Sequence, residues 1–203
     1  MTRWYKEKKR EHFYKEAKKK GYRARSAFKL LQIQKKFNLI KKGDFVVDLG
    51  AAPGGWSQVT KDLVGPDGNV IGIDLLHIEP LDGVVFLKGD MTKDESLQTI
   101  LNAAGNQKVD VILSDMSPNI SGNYSIDQAR SVFLCEKALK TTKILLKNDG
   151  VFVCKVFEGE DLKDFLTKVK RIFKVVKHFS PEASRKSSSE VYIIGKYFLD
   201  KYL

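Results

Sequence analysis

Cysteine is scarce in this chain of 203 residues, which has only Cys135 and Cys154. Both fall inside apolar helix or strand patterns and lack the paired spacing of a disulfide framework. Buried free thiols in a reducing compartment are expected. Histidine is nearly as rare, and His12, His77 and His178 form no ligand-spaced cluster. The sequence therefore offers no metal site. No apolar run approaches the length of a membrane-spanning helix, so none is expected. The N-terminal residues lack the apolar core of a secretory signal. They also carry Glu7, Glu11 and Glu16, which a mitochondrial transit peptide usually avoids. There is no internal repeat. Low complexity is limited to a lysine-rich N-terminal stretch and the short Ser187-Ser188-Ser189.

What is present is an ordinary globular composition, 42% hydrophobic and 30% charged, in a chain long enough to bury a full core as one domain. The formal net charge of +11 is unevenly placed. Residues 1–42 hold 16 of the 36 basic side chains and 3 of the 25 acidic ones, a net of +13. The remaining 20 basic and 22 acidic residues leave the rest of the chain at −2. A basic segment on a nearly neutral body excludes a uniformly basic, histone-like protein. The split predicts a basic N-terminal arm and helix over 1–42 that meets a polyanion, and a body over 43–203 with a separate task.

Residues 5–20 have helical or loose character, with Trp4, Tyr5, Phe13 and Tyr14 among the lysines, and Gly21 breaks the pattern. From Ser26 to Phe37, Phe28, Leu31 and Ile33 recur at near-helical spacing. Beyond Gly43 short apolar runs alternate with helical ones. Strands are predicted at 44–50, 69–74, 84–90, 108–115, 151–157, near 174–179 and at 190–198. Helices are predicted at 56–64, 93–104, 126–146 and 161–173. This alternation implies βαβ units and a mostly parallel sheet with helices on both faces. Ligands of such sheets bind at the carboxyl ends of the strands.

The first strand runs into Asp48-Leu49-Gly50-Ala51-Ala52-Pro53-Gly54-Gly55-Trp56. Gly50, Gly54 and Gly55 give G-x-x-x-G-G, which differs from the dinucleotide fingerprint G-x-G-x-x-G. Asp48 would oppose a pyrophosphate at that turn but suits a cation. S-adenosylmethionine, with a sulfonium and an ammonium and no phosphate, fits better. Asp74 closes the second strand, where a carboxylate can accept bonds from ribose hydroxyls, and Asp90 closes the third, within reach of an adenine. Each aspartate alone would serve equally well as a turn or helix cap. Three in succession at strand ends, the first beside a glycine-rich turn, point to an adenosine cofactor.

Lys155 interrupts the apolar run VFVCKVF. Lysine is rarely buried without a partner. It either snorkels from an exposed strand end or is a desolvated lysine suited to acid–base chemistry. Asp115 ends the fourth strand at the same sheet edge. Glu190 opens the last strand, and it reaches that edge if the strand runs antiparallel. On composition alone, Lys29 is one more surface lysine.

Five stretches, RARSAFKL (23–30), VVDLGAAPGGWSQ (46–58), SDMSPNISG (114–122), KVFEGE (155–160) and SRKSSSEVYI (184–193), resemble the FtsJ-type (RrmJ-like) ribose 2′-O-methyltransferase family. The likeness runs from about Trp4 to Tyr197 and is closest to the branch acting on large-subunit ribosomal RNA. It implies a Rossmann-like, S-adenosylmethionine-dependent methyltransferase fold, with a seven-stranded, mostly parallel sheet whose last strand is antiparallel. It carries the family's Lys-Asp-Lys-Glu catalytic tetrad onto Lys29, Asp115, Lys155 and Glu190. The cofactor-binding set becomes Asp48, Gly50, Pro53, Gly54, Gly55, Trp56, Asp74, Asp90, Met91 and Asp115.

The reaction implied is methyl transfer to a ribose 2′-hydroxyl, with a uridine of large-subunit ribosomal RNA as the expected target. Lys155 would act as base, or stay protonated and stabilise the developing alkoxide. Asp115 would orient it, and Glu190 and Lys29 would hold the groups in register. Arm lysines, Arg23, Arg25 and the Arg185-Lys186 pair would bind phosphates, and the arm aromatics would stack on bases or pack on the body. The expected partners are ribosomal RNA or a large-subunit particle, with the protein a monomer off the membrane. Its expected location is the cytoplasm in a bacterium or a ribosome-bearing organelle in a eukaryote. The readings in competition are a tRNA or cap-type methyltransferase of the same family, a catalytically silent RNA-binding assembly module, and a nicotinamide-dependent oxidoreductase.

Overall fold

The computed structural model describes residues 15–184 and 189–200. Trp4, Tyr5, Phe13, Tyr14 and the Arg185-Lys186 pair lie outside the described residues. A helical turn at residues 15–19 leads to Gly21. Helix α1 (Ala27–Phe37) follows. It ends at Asn38 in the left-handed conformation. Gln34 then turns the chain, its Oε1 accepting from the N–H groups of Leu39 and Ile40 and its Nε2 donating to the Ile40 carbonyl.

The remaining elements are β1 (Phe45–Leu49), α2 (Gly55–Val64), β2 (Asn69–Asp74), β3 (Val85–Lys88), α3 (Asp94–Ala103), β4 (Val109–Ser114), α4 (Tyr124–Leu145), β5 (Leu146–Phe157), α5 (Leu162–Ile172), β6 (Phe173–Phe179) and β7 (Glu190–Phe198). They build one seven-stranded sheet in the order β3-β2-β1-β4-β5-β7-β6. β1 to β5 are mutually parallel, and β7 runs antiparallel between β5 and β6. The predicted sheet is therefore present, with its antiparallel last strand.

The chain moves outward from β1 through β2 to β3, then returns to place β4 on the other side of β1. This reversal puts a topological switch point at the carboxyl ends of β1 and β4, where sheets of this kind bind their ligands.

Alternate residues of each strand serve opposite faces. Val47, Ile112, Phe152, Cys154 and Ile193 join one buried cluster with Ile100 of α3, Cys135 and Leu139 of α4, and Phe165 and Val169 of α5. Val46, Val111, Val153, Tyr192 and Ile194 join the other with Leu30 and Ile33 of α1 and Trp56 and Val59 of α2. The second half of the basic segment thus contributes directly to the sheet's core. Burial of Leu30 or Ile33 is worth about 1.5–3 kcal/mol each. Both cysteines are buried and unpaired with each other.

One boundary differs from expectation by more than two residues. Strand β5 begins at Leu146, five residues before the predicted start, because Leu146 pairs with Val109. The next paired residues are Val111 and Val151, so Lys147-Asn148-Asp149-Gly150 loops out of register, with Asp149 at φ +60°. The turn signal read from Asn-Asp-Gly is real, but it forms a bulge inside a strand.

Candidate active site

The glycine-rich turn joins β1 to α2. Gly50 has φ +76°, and a Cβ there would lie 2.6 Å from Cγ of Met116 and 3.0 Å from its Cα. Only glycine lets the β1 turn lie this close to the backbone just after β4. Gly54, at φ +103°, would set a Cβ against Arg23 Nη1 at 3.0 Å, and a Cβ on Gly55 would lie 3.1 Å from the Cβ of Ala24. The paired glycines are thus the floor on which residues 23–26 rest.

Further bonds hold that segment down. Arg23 N donates to Gln58 Oε1, Gln58 Nε2 donates to the Gly21 carbonyl, and Trp56 Nε1 donates to the Ser26 carbonyl. The Arg23 guanidinium donates to the carbonyls of Glu79 and Pro80 at 2.5 and 2.6 Å. Arg23 thus latches the segment to the loop after β2. The two motifs RARSAFKL and GAAPGGWSQ are one packed unit, and α1 emerges from it carrying Lys29.

Four aspartates lie at or just past the carboxyl ends of β1 to β4. Asp48 is fully buried; its Oδ2 accepts from Ser57 Oγ at 2.7 Å, and its Oδ1 has no hydrogen-bond partner. Burial pushes its carboxyl up to about 7, with Asp115 and Asp74 adding repulsion and Ser57 opposing. Asp74 Oδ2 accepts from Ala52 N and its Oδ1 from Leu76 N, which ties the end of β2 to the glycine turn. Asp90 Oδ1 accepts from the hydroxyl and the N–H of Thr92, and those bonds hold its carboxyl below the usual range.

Pro53 is exposed at the tip of the turn. The side chains of Trp56 and Met91 are both buried. The indole is buried and stacks on Tyr192 at 5.6 Å, and the Met91 side chain belongs to the α3–α4 core.

The second constellation centres on Asp115, the residue after β4. Lys155 is buried rather than snorkelling. Its Nζ donates to the Asp115 carbonyl at 2.6 Å and lies 3.1 Å from Asp115 Oδ1. Lys29 is also buried, and its Nζ lies 2.8 Å from Glu190 Oε2. The β5–β7 register explains the meeting: Lys155 pairs with Tyr192 and Phe157 with Glu190, so Lys155, Tyr192 and Glu190 project from one face. That face is the one α1 covers.

Tyr192 joins the two pairs. Its hydroxyl donates to Asp115 Oδ1 at 2.8 Å, and its ring centroid lies 5.8 Å from Lys29 Nζ. Burial first pushes the Tyr192 phenol well above its usual range, and the carboxylates of Asp115 and Glu190 add to it. It is a standing donor. For Asp115, burial pushes the carboxyl up; Lys155, then Lys29, and the Tyr192 hydroxyl outweigh it and leave the group below the usual range. Sequence reasoning missed Tyr192, whose place in EVYIIG reads as core. Its one signal is the two-residue spacing from Glu190.

A family model described as FtsJ-like methyltransferase matches residues 22–198. The chain belongs to the FtsJ-like methyltransferase family. Among relatives of this FtsJ-like methyltransferase, the Ribosomal RNA large subunit methyltransferase E of Methanothrix thermoacetophila is 52% identical over 190 residues, 94% of this chain and 73% of that protein. The protein of the same name from Methanocaldococcus jannaschii is 49% identical over 203 residues, covering 98% of this chain and 83% of its own length. A solved structure from Plasmodium falciparum, titled as a ribosomal RNA methyltransferase, is 28% identical with a TM-score of 0.81, covering 88% of this chain and 99% of that one. The match begins at Tyr22, where the latch on the glycine turn begins, and ends at Phe198, the last residue of β7. Both constellations lie within it.

Proposed function

We propose that this methyltransferase moves a methyl group from S-adenosylmethionine to a ribose 2′-hydroxyl of large-subunit ribosomal RNA. The observation that carries the reading is the Lys155–Asp115 contact beside the Lys29–Glu190 pair, next to a cation-suited carboxylate. The names of the archaeal relatives support the choice of RNA.

The residues present fit the cofactor. The Oδ1 of Asp48 is buried and unpartnered, which is costly unless a donor or cation meets it. The turn at Gly50 leaves no room for a side chain between the β1 and β4 ends. Asp48 and the Gly50–Gly55 turn would hold the charged end, with Asp74 toward the ribose and Asp90 toward the adenine. Bound S-adenosylmethionine supplies a methyl group on a sulfonium, whose positive charge is lost on transfer.

The chain's own residues handle the hydroxyl. The Lys155 ammonium whose charge holds Asp115 down must first give up a proton to act as base, and the amine then has two N–H bonds and one lone pair. The two acceptors on Asp115 engage two positions of Lys155 Nζ and leave the third for the substrate. Lys155 takes the 2′-hydroxyl proton, and the ammonium formed lies against the Asp115 carboxylate. The ion pair therefore strengthens along the reaction, which is selective stabilisation of the transition state. Tyr192 fixes the carboxylate, and Lys29 and Glu190 fix the hydroxyl's approach. Such positioning is worth several kcal/mol of barrier.

The basic segment over 1–42 is read as the RNA grip of a monomer located wherever its ribosomes are. Among the described residues no helix is long and apolar enough to cross a membrane. Incubation with methyl-tritiated S-adenosylmethionine and either large-subunit ribosomal RNA or assembled particles tests the reading. Label in the RNA is expected, and no label in either substrate overturns it.

A further inference from the structure

Ile120, in the loop after Asp115, and Tyr124, the first residue of α4, are exposed apolar side chains that no part of the catalytic scheme uses. The loop is held in place. The Asp127 carboxylate accepts from Ser121 N, Ser121 Oγ and Gly122 N, and Asn123 Oδ1 caps α4 by accepting from Ser125 N and Ile126 N. Tyr124 is pinned at its tip, its hydroxyl donating to the Glu158 carbonyl at 2.5 Å. Glu158 N in turn donates to the Ser189 carbonyl at 2.8 Å, and the neighbouring pair is Phe157 with Glu190. The Tyr124 ring thus stands at the rim of the tetrad, between the end of β4 and the ends of β5 and β7. Even so, the residue is 58% exposed.

An aromatic ring fixed at its tip and bare on its face has already lost its rotamer freedom. Stacking a partner on it costs little further entropy. The partner must be flat and must lie beside the hydroxyl that Lys155 meets. Arg130, one to two turns along α4, donates to the Asn119 carbonyl of the same loop and brings positive charge to this rim.

We propose that Tyr124 is the stacking platform for a nucleobase of the RNA substrate adjoining the reacting ribose. The inference rests on the RNA 2′-hydroxyl reading above and adds to it a residue that holds the substrate. Tyr124 acts by positioning, and its loss is read in the Michaelis constant for RNA.

Steady-state methylation of large-subunit ribosomal RNA by wild type, Tyr124→Ala and Tyr124→Phe tests it. Tyr124→Ala is expected to raise KM for RNA by roughly tenfold or more. Its S-adenosylmethionine Kd and its Tm should match wild type. Tyr124→Phe keeps the ring and loses only the bond that fixes its tip, so its KM should rise far less than that of Tyr124→Ala. An unchanged KM in Tyr124→Ala overturns the platform, as does a Tyr124→Phe defect as large as that of Tyr124→Ala. A wild-type protein that binds S-adenosylmethionine but labels no RNA instead sinks the underlying reading, and the platform with it.

Discussion

The Tyr192 hydroxyl donates to Asp115 Oδ1 at 2.8 Å, the same oxygen that lies 3.1 Å from Lys155 Nζ. One carboxylate oxygen is therefore steadied from β7 while it aims a lysine on β5. Tyr192→Phe keeps the ring stacked on Trp56 and removes only this bond. Hydrogen bonds to charged groups are worth about 1.5–3 kcal/mol. The variant should lose stability of that order in urea unfolding, and its kcat should fall by about tenfold while S-adenosylmethionine affinity holds. Wild-type kcat would show that the hydroxyl does not steady Asp115 for catalysis.

Lys29 and Glu190 are predicted to act as a unit. Lys29→Met takes the ammonium away from Glu190, and Glu190→Gln takes the carboxylate away from Lys29, so each alone should reduce kcat/KM. Because the two touch, the double variant should be little worse than the weaker single variant, with a coupling of about 0.5–3 kcal/mol. A double-mutant cycle on methyl transfer measures this, and strict additivity would separate the two residues.

The state of Asp48 predicts a pH dependence. Its folded carboxyl sits at about 7, above the unfolded value near 3.8. The folded protein binds the extra proton, so this stabilising contribution is complete below about 4 and is lost as pH rises through 7. Asp48→Asn removes the titration. In the cofactor-free protein it should raise stability relative to wild type at pH 8 by a few kcal/mol, and by little at pH 4. Cofactor binding should show the opposite trend in wild type. A cation favours ionised Asp48, so affinity should climb from pH 6 to pH 8 with a proton released at the lower pH. Calorimetry in buffers of different ionisation enthalpy reads that proton. A flat affinity profile would remove Asp48 from the cation's site.

The concentration of charge in residues 1–42 predicts a steep fall of RNA affinity with salt, since each neutralised phosphate releases counterions. Deleting residues 1–14 should flatten that slope and leave S-adenosylmethionine binding intact. An unchanged slope in a filter-binding titration would place the RNA grip elsewhere.

Local pattern carried most of the fold. The apolar run and its bounding residues set β7 at 190–198, as found, and the strand-end positions of Asp48, Asp74, Asp90 and Asp115 were readable from periodicity. Burial of Lys155 was legible as an alternative, because a lysine within VFVCKVF must either snorkel or find a partner. Tyr192 was not legible, since a tyrosine in an apolar strand reads as core; only the pairing of Lys155 with Tyr192 brings its hydroxyl to Asp115. The same limit hid the core role of Trp56. Its motif marks the glycine turn, but its indole follows the helix face toward Tyr192. Charge alone likewise says nothing of the carbonyls that the loop after β2 brings to Arg23. In each case the missing information is a contact between residues distant in sequence.

The most direct test is Lys155→Ala, assayed for cofactor binding and for the product formed on large-subunit ribosomal RNA. Wild type should yield an alkali-resistant dinucleotide, the mark of a 2′-O-methyl ribose. Lys155→Ala should yield none while binding S-adenosylmethionine as wild type does. Wild-type turnover by Lys155→Ala, or a methyl group found on a base in the wild-type product, would contradict the assignment.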